Sequence, residues 1–394
     1  MTPTVPDHLS HSLPHDHAQA TLIGRLWQPG VGALPVAVFQ QQLFDLSPLA
    51  PTTSQLLERE APALDVAQAL AAGRLRPLAD LAAVLANSHE AQRDTTRPWL
   101  LAPCDLQVVK ASGVTFIASL LERVIEEQAR GDAGRAEGIR QALGDILGTD
   151  LSQIVPGSPE AAEVKRVLLE RGAWSQYLEV GLGPDAEIFT KAPVLAAVGS
   201  GADVGIHPGS HWNNPEPEVV LAVNSRGQTV GAALGNDVNL RDFEGRSALL
   251  LGKAKDNNGS CAIGPFIRLF DAHFGIADVR QATLRLGITG EDGFAWQAQG
   301  DMATISRDPL DIVAQAINAN HQYPDGFMLF LGTMIAPTQD RRGPGQGFTH
   351  EVGDVVTVHT PCLGTLVNRV RHSCDVAPWR YGIAALMQQL AGQR

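Results

Sequence analysis

Within His211–Val223, read HWNNPEPEVVLAV, two carboxylates, Glu216 and Glu218, stand at the mouth of an apolar run. Residues two apart on a strand project from the same face. Two carboxylates there repel each other unless a cation or a proton lies between them. The run leads into Asn224-Ser225-Arg226-Gly227, which reads as a two-residue hairpin turn, and then into a return strand, Gln228 to Asn236. Pairing Asn224 with Gly227 sets Glu216 opposite Gly235 and Asn214 opposite Asp237. Asp237 then lies at the same end of the hairpin as the two glutamates. Three carboxylates without a cysteine or an obligatory histidine form a hard-oxygen site suited to Mg²⁺, with Mn²⁺ or Ca²⁺ as alternatives. The competing reading is a pair of solvated glutamates on an edge strand.

The bulk composition limits what such a site serves. A hydrophobic fraction of 44% with 18% charged residues over 394 residues describes a globular protein with length for two domains. The net charge of -12 opposes a phosphate backbone, and no Lys/Arg stripe offsets it, so nucleic acid is not an expected partner. No apolar run reaches the roughly 18 residues of a membrane span. Met1–Ala20 lacks the basic-then-apolar order of a secretion signal. These features lead us to expect a cytoplasmic protein with no membrane partner. Cys104, Cys261, Cys362 and Cys374 are widely spaced, and in a reducing compartment free, mostly buried thiols are expected.

The elements that must position the acids follow from periodicity. Residues 1–20 are polar, with several His and Pro, and read as a flexible N-terminus. Residues 21–100 read as a small N-terminal α+β domain. It opens strand-turn-strand over Thr21–Trp27 and Leu34–Phe39 and continues in helices near Ala63–Ala72 and Leu78–Ala86. Residues 101–394 read as a catalytic domain. Its helices span Val114–Glu127, Gly134–Leu147 and Pro159–Arg171, the last with Pro in its first turn. Short strands then follow at Val219–Val223, Thr229–Leu234, Ala282–Ile288, Phe327–Leu331, Val355–Thr360 and Gly364–Val370, with helices at Leu310–Ala319 and Ile383–Leu390 on the outside. The fold class expected is α+β, a β-rich mixed sandwich or roll with a smaller N-terminal domain.

The stretch NDVNLRDFEGRSALLLGKAKDNNGSCAIGPFI makes the reading more specific. An E-x-E, an NDV-x-x-RD element, GK-x-x-D and IGPF, in that order, resemble the fumarylacetoacetate hydrolase superfamily. The resemblance covers Lys110 to the C-terminus, and the ending APWRYGIAALMQQLAGQR is similar to its sugar-acid branch. It implies that Glu216, Glu218 and Asp237 are metal ligands, that Lys253 approaches the substrate's keto oxygen or reacting carbon, and that Thr333, in FLGTM, holds the substrate carboxylate. Phe116, Lys191 and Arg241 complete the implied substrate site. It also implies a homodimer acting on a small 2-keto acid.

The superfamily carries a His-x-x-Glu pair on a helix that activates water for carbon–carbon hydrolysis. In VKASGVTFIASLLERVIEE, Ser119 takes the place of that His, Glu122 the place of its Glu and Phe116 the place of a Tyr. Ser119 and Glu122, three apart, are expected to share a helix face. A serine lacks the near-neutral pKa of imidazole. The expected reaction is therefore dehydration of a 2-keto-3-deoxy sugar acid, a pentonate giving 2,5-dioxopentanoate, with Glu122 and Lys253 sharing acid and base work and Ser119 orienting. A hydrolase of a 2,4-diketo acid, using His350 or His207 in place of the missing imidazole, is the rival. A non-catalytic binding protein on the same fold is a third reading.

Overall fold

In the computed structural model, which describes residues 12–139, 154–170, 172 and 174–392, the core is a strongly mixed α+β arrangement built on one large and one smaller sheet. The large sheet begins with β1 (Leu22–Gln28), β2 (Gly32–Phe39), β3 (Gln42–Asp45), β4 (Pro77–Asp80), β5 (Trp99–Leu101) and β6 (Val108–Ser112). It is completed by β7 (Ile188–Ala192), β10 (Pro217–Val223), β11 (Thr229–Asp237), β13 (Cys261–Leu269) and β16 (Phe327–Phe330). Its order is β4-β3-β2-β1-β13-β11-β10-β16-β6-β7, with β5 on β1. The second sheet holds β8 (Asp203–Ile206), β14 (Thr283–Thr289), β15 (Ala295–Asp301), β17 (Val355–Thr360) and β18 (Gly364–His372), in the order β15-β14-β17-β18-β8. A two-stranded ribbon joins β9 (Asn213–Asn214) to β12 (Asn239–Leu240).

Every residue of β10 is buried, because the large sheet is covered on both faces. Val219, Leu221 and Val223 enter one apolar core together with β14 and β17, whereas Val220 and Ala222 enter another with Ile263, Met328 and Phe330. That alternation is the period-2 pattern of the sequence, and it fixes the face on which Glu216 and Glu218 stand. Among the described residues, ten strands escape the sequence reading: β3 to β9, β12, β13 and β15. Most are short or buried on both faces, so they lack the alternation that marks a half-exposed strand.

The break expected at residue 100 does not divide the sheets, since β1 pairs antiparallel with β13 and carries the N-terminal strands into the large sheet. Residues 12–20, expected to be flexible, are held in place. Asp16 accepts two hydrogen bonds from Arg268, at 2.7 and 2.6 Å, and His15 N–H donates to Pro361 O at 2.9 Å. This segment has no hydrophobic periodicity, so its order comes from long-range ties, the Asp16–Arg268 ion pair among them, that no local pattern announces. The helix expected over Gly134–Leu147 is present at 133–139 and otherwise lies outside the described residues. Cys104 and Cys261 are buried and Cys374 is exposed, all as free thiols. Among the described residues, no helix is long and apolar enough to cross a membrane.

Candidate active site

The β10–β11 hairpin brings the three acids together, in a register that differs from the expected one. Glu218, not Glu216, lies opposite Gly235, and Asp237 N–H donates to Glu216 O at 2.9 Å. Two features produce the shift. The loop holds three residues, closed by Asn224 N–H to Gln228 O and Gly227 N–H to Asn224 O, both 3.0 Å. An irregularity in the ladder at Ala222/Val223 then adds one more residue on β11. A slip of one would have turned the acids to opposite faces, but a slip of two restores them. One oxygen from each of Glu216, Glu218 and Asp237 falls within 4.8 Å of the others.

The surroundings of the three acids are unequal. Glu216 is held by Arg123 through Oε1 and by Lys255 Nζ through Oε2 at 2.5 Å. Asp237 meets Lys191 Nζ at 2.7 Å through Oδ1 and Lys255 Nζ at 3.1 Å through Oδ2. Glu218 accepts only the Gly332 N–H, at 2.6 Å, and makes no ion pair among the described residues. Burial would raise Glu216, yet the Arg123 and Lys255 cations hold its carboxyl down to about 2. Glu218 is pushed well above the carboxylate range by burial and by the Asp237 and Glu216 charges.

The wider network shows the same imbalance. Glu126, Glu216, Glu218, Asp237 and Glu244 are five fully buried carboxylates, whereas Arg123, Lys191, Arg241 and Lys255 are four buried cations. Half-buried Glu187 lines the same cavity, and it brings the excess of carboxylates to two. Uncompensated buried charge costs several kcal/mol per ion. A divalent cation supplies the missing charge, and an all-oxygen donor set fits Mg²⁺. The acidic cluster therefore fits the ion expected from the sequence.

The cavity is lined by Ser119, Arg123, Glu187, Phe189 and Thr333 together with the three acids, Glu244 and Lys255, and is closed by Ser112-Gly113-Val114. Ser119 and Thr333 thus reach it as expected. Lys253 does not: it is exposed, with Nζ 5.1 Å from the Phe243 ring centroid. The lysine that lines the cavity is Lys255. The short helix Leu251–Lys255 rotates about 200° between these two positions, so only one of them faces inward. Ser119 and Glu122 also part company on the helix Ile117–Ala129. Glu122 Oε2 lies 3.8 Å from Arg241 Nη1, away from the cavity lining, while Arg123 points in.

Phe116 is buried in the core at the start of that helix, where its carbonyl accepts the Ser119 hydroxyl at 2.9 Å. Lys191 and Arg241 lie behind the lining and brace it. Lys191 Nζ donates to Lys255 O at 2.5 Å and Val238 O at 3.1 Å, and Arg241 Nε donates to Asn214 Oδ1 at 2.8 Å and meets Glu126 at 3.3 Å. Neither rival imidazole lines the cavity. His350 is buried with Nδ1 3.0 Å from Asp354, and His207 packs its ring on Phe243.

Arg123, Glu187, Glu244 and Lys255 were not singled out by the sequence reading. Lys255 is marked in the sequence only by its place two residues after Lys253 in GKAKD. Glu187 has no mark, because it sits on a loop ahead of β7 beside ordinary residues. Burial and the Glu244 charge push its carboxyl up to about 7.

Taken together, the fold and the acidic cavity define an α+β protein with a β-rich roll and a buried hard-oxygen site. The chain belongs to the fumarylacetoacetate hydrolase family: the family model described as Fumarylacetoacetate (FAA) hydrolase C-terminal matches residues 168–371. It is 30% identical over 185 residues to 2-dehydro-3-deoxy-D-arabinonate dehydratase of Saccharolobus solfataricus, covering 47% of this chain and 58% of that one. It is 27% identical over 194 residues to a Haloferax volcanii protein named "Probable 2-keto-3-deoxyxylonate dehydratase", covering 49% and 63%. The matches thus span less than two thirds of either relative. Among solved structures, 2-keto-3-deoxy-D-arabinonate dehydratase complexed with magnesium and 2,5-dioxopentanoate shares the fold, with TM-score 0.60, 20% identity, and 89% and 99% of the two chains covered. Fumarylacetoacetate hydrolase from Exiguobacterium antarcticum gives TM-score 0.55 at 16% identity, with 90% and 100% covered.

Proposed function

We propose that this protein is a magnesium-dependent dehydratase of a 2-keto-3-deoxy sugar acid, a pentonate giving 2,5-dioxopentanoate. The observation that carries the reading is the cavity itself, in which Glu216, Glu218, Asp237 and Lys255 meet Glu187 with no imidazole in the lining among the described residues. The dehydratase names of the two relatives support it. Mg²⁺, or Mn²⁺ in its place, would be held by Glu216, Glu218 and Asp237 and would supply Lewis-acid polarisation of the C2 carbonyl.

The chain's own groups divide the remaining work. Burial alone would lower Lys255, but Asp237, Glu216 and Glu244 raise it well above the ordinary lysine range. It acts as an ammonium that donates to the substrate's keto oxygen as negative charge develops there. Glu187 is the base for the C3 proton: it lines the cavity with Lys255 and the three acids, and burial and the Glu244 charge push its carboxyl up to about 7, where one group can serve as base and then as acid. The C3–H bond breaks to Glu187, the electron pair forms the C3–C4 double bond, and the C4 hydroxyl leaves with the same proton as water. A proton shift from C5 to C3 leaves a C4–C5 enol, and transfer of its O–H proton to C4 gives the C5 aldehyde. Ser119 and Thr333, both in the lining, orient the substrate. Glu122, outside the lining, has no part in these steps.

Carbon–carbon hydrolysis needs a group that activates water, and Ser119 stands where that imidazole would be. A screen of 2-keto-3-deoxy pentonates and hexonates and of 2,4-diketo acids, with Mg²⁺ present and then chelated, tests the reading. A semialdehyde without pyruvate is expected, and pyruvate release overturns it. The same reading carries a cytoplasmic homodimer, which light scattering of the purified protein checks for assembly.

A further inference from the structure

Glu187 reaches the cavity through an unusual piece of backbone. Gly113 N–H donates to Glu187 O at 3.2 Å, just beyond the end of the β6–β7 ladder. A Cβ at Gly113 would stand 1.9 Å from Glu187 Oε2 and 2.7 Å from its Cδ. The side chain of Glu187 therefore occupies the volume that any other residue at 113 would fill. The next residue, Val114, is buried with φ of 47°, a left-handed conformation that a β-branched side chain rarely adopts.

Such a conformation persists only where the neighbouring contacts over-determine it, and here they do. Thr115 Oγ1 donates to Leu331 O at 2.6 Å, and Thr115 O accepts Ser306 N–H at 2.8 Å and Ser306 Oγ at 2.9 Å. Gly332, with φ of 97°, lets the Thr115 hydroxyl approach to where a Cβ would be 1.9 Å away. The same Gly332 gives its N–H to Glu218. One clamp thus ties the wall that carries Glu187 to the wall that carries a metal ligand.

We propose that the turn Ser112–Thr115 is a positioning device for the Glu187 carboxylate, with Gly113 providing the space the carboxylate occupies and the Thr115 clamp holding the left-handed Val114 in place. The inference rests on the assignment of Glu187 to the C3 proton. A displacement of about an ångström at a reacting group is enough to lower turnover by roughly 10²-fold.

Gly113→Ala, Thr115→Val, Glu187→Asp and the double variant Gly113→Ala/Glu187→Asp separate the outcomes. Gly113→Ala is expected to lower kcat by at least ~10-fold while KM and Mn²⁺ affinity change by less than about 2-fold. Glu187→Asp is also impaired, but adding Gly113→Ala to it is expected to cost little more, because the shorter side chain vacates the clashing volume. Losses that multiply in full overturn the proposal. Should Gly113→Ala not fold, Thr115→Val, which removes only the clamp's hydroxyl, is expected to shift the pH–rate profile and lower kcat, and an unmoved profile overturns it. Infrared titration of the carboxyl band that disappears in Glu187→Gln gives a readout independent of turnover. Its midpoint moves in Gly113→Ala if the turn positions the carboxylate. An unmoved midpoint overturns the proposal even in an active enzyme, whereas a moved midpoint in an enzyme inactive on every 2-keto-3-deoxy acid removes the assigned reaction alone.

Discussion

Lys255 Nζ bridges two of the three acids, lying 2.5 Å from Glu216 Oε2 and 3.1 Å from Asp237 Oδ2. Lys253, two residues and about half a helical turn away, carries its ammonium over the Phe243 ring instead. The two lysines should therefore behave oppositely. Lys255→Met is expected to lower kcat/KM for a 2-keto-3-deoxy acid by roughly 10²- to 10³-fold, as loss of a charge-stabilising donor does. Lys253→Met is expected to stay within about 2-fold of the parent. Steady-state kinetics of both variants checks the pair, and equal losses would return the role to Lys253.

The three acids should not contribute equally to metal binding. Both oxygens of Glu216 and both of Asp237 already face cations, whereas Glu218 has one amide donor. Glu218→Gln is expected to weaken Mn²⁺ binding by at least ~10²-fold, and Glu216→Gln by clearly less. Paramagnetic titration of each variant measures this, and an equal loss at the two positions contradicts it. Arg123→Met, which removes a brace of Glu216 rather than a ligand, is expected to change affinity by roughly 10-fold, the scale of groups that orient metal ligands.

Glu187 also predicts a pH dependence of stability. Its carboxyl is raised to about 7 in the folded chain, against about 4.3 when unfolded. Between those values the folded state binds more protons, so this group's contribution falls as pH rises through that window and is fully present only below it. In EDTA, Glu187→Gln removes the dependence. The variant's Tm is expected to gain on the wild type as pH rises from 5 to 8. A constant difference across that range would show that the carboxyl is not raised.

Asp16 anchors the N-terminal arm through the buried Arg268, whose guanidinium also donates to Cys362 O at 2.9 Å and lies 4.3 Å from the Phe274 ring centroid. Asp16→Ala leaves that cation without its carboxylate and is expected to cost about 1–3 kcal/mol. Arg268 holds the Asp16 carboxyl below its usual range against the effect of burial, so the contribution is present above about pH 3.9 and fades as the medium becomes more acidic. Urea unfolding at pH 7 and pH 3 measures both parts. Limited proteolysis of the variant is expected to cut first within residues 12–20.

Much of this was legible from the chain itself. Alternation in EPEVVLAV places Glu216 and Glu218 on one face, and the hairpin brings Asp237 to the same end even though the turn is one residue longer than its sequence suggests. The outcome survives because a two-residue slip preserves the face. The strand Val355–Thr360 was equally readable, since its half-buried and buried positions alternate. By contrast, β6, β7 and β13 are covered by neighbours that only the assembled sheet supplies, and they carry no periodic signal.

The sequence by itself determined the hard-oxygen chemistry, because carboxylates two apart on a strand must share a face whatever the rest of the chain does. Only the tertiary structure decided which cations and acids surround them. Arg123 rather than Glu122, Lys255 rather than Lys253, and Glu187 from a distant loop are chosen by the rotation of short helices and by the crossing of strands remote in the chain. Local spacing fixes neighbours along one element, but the field inside a cavity is the sum of charges delivered by several, and that sum exists only once they are packed.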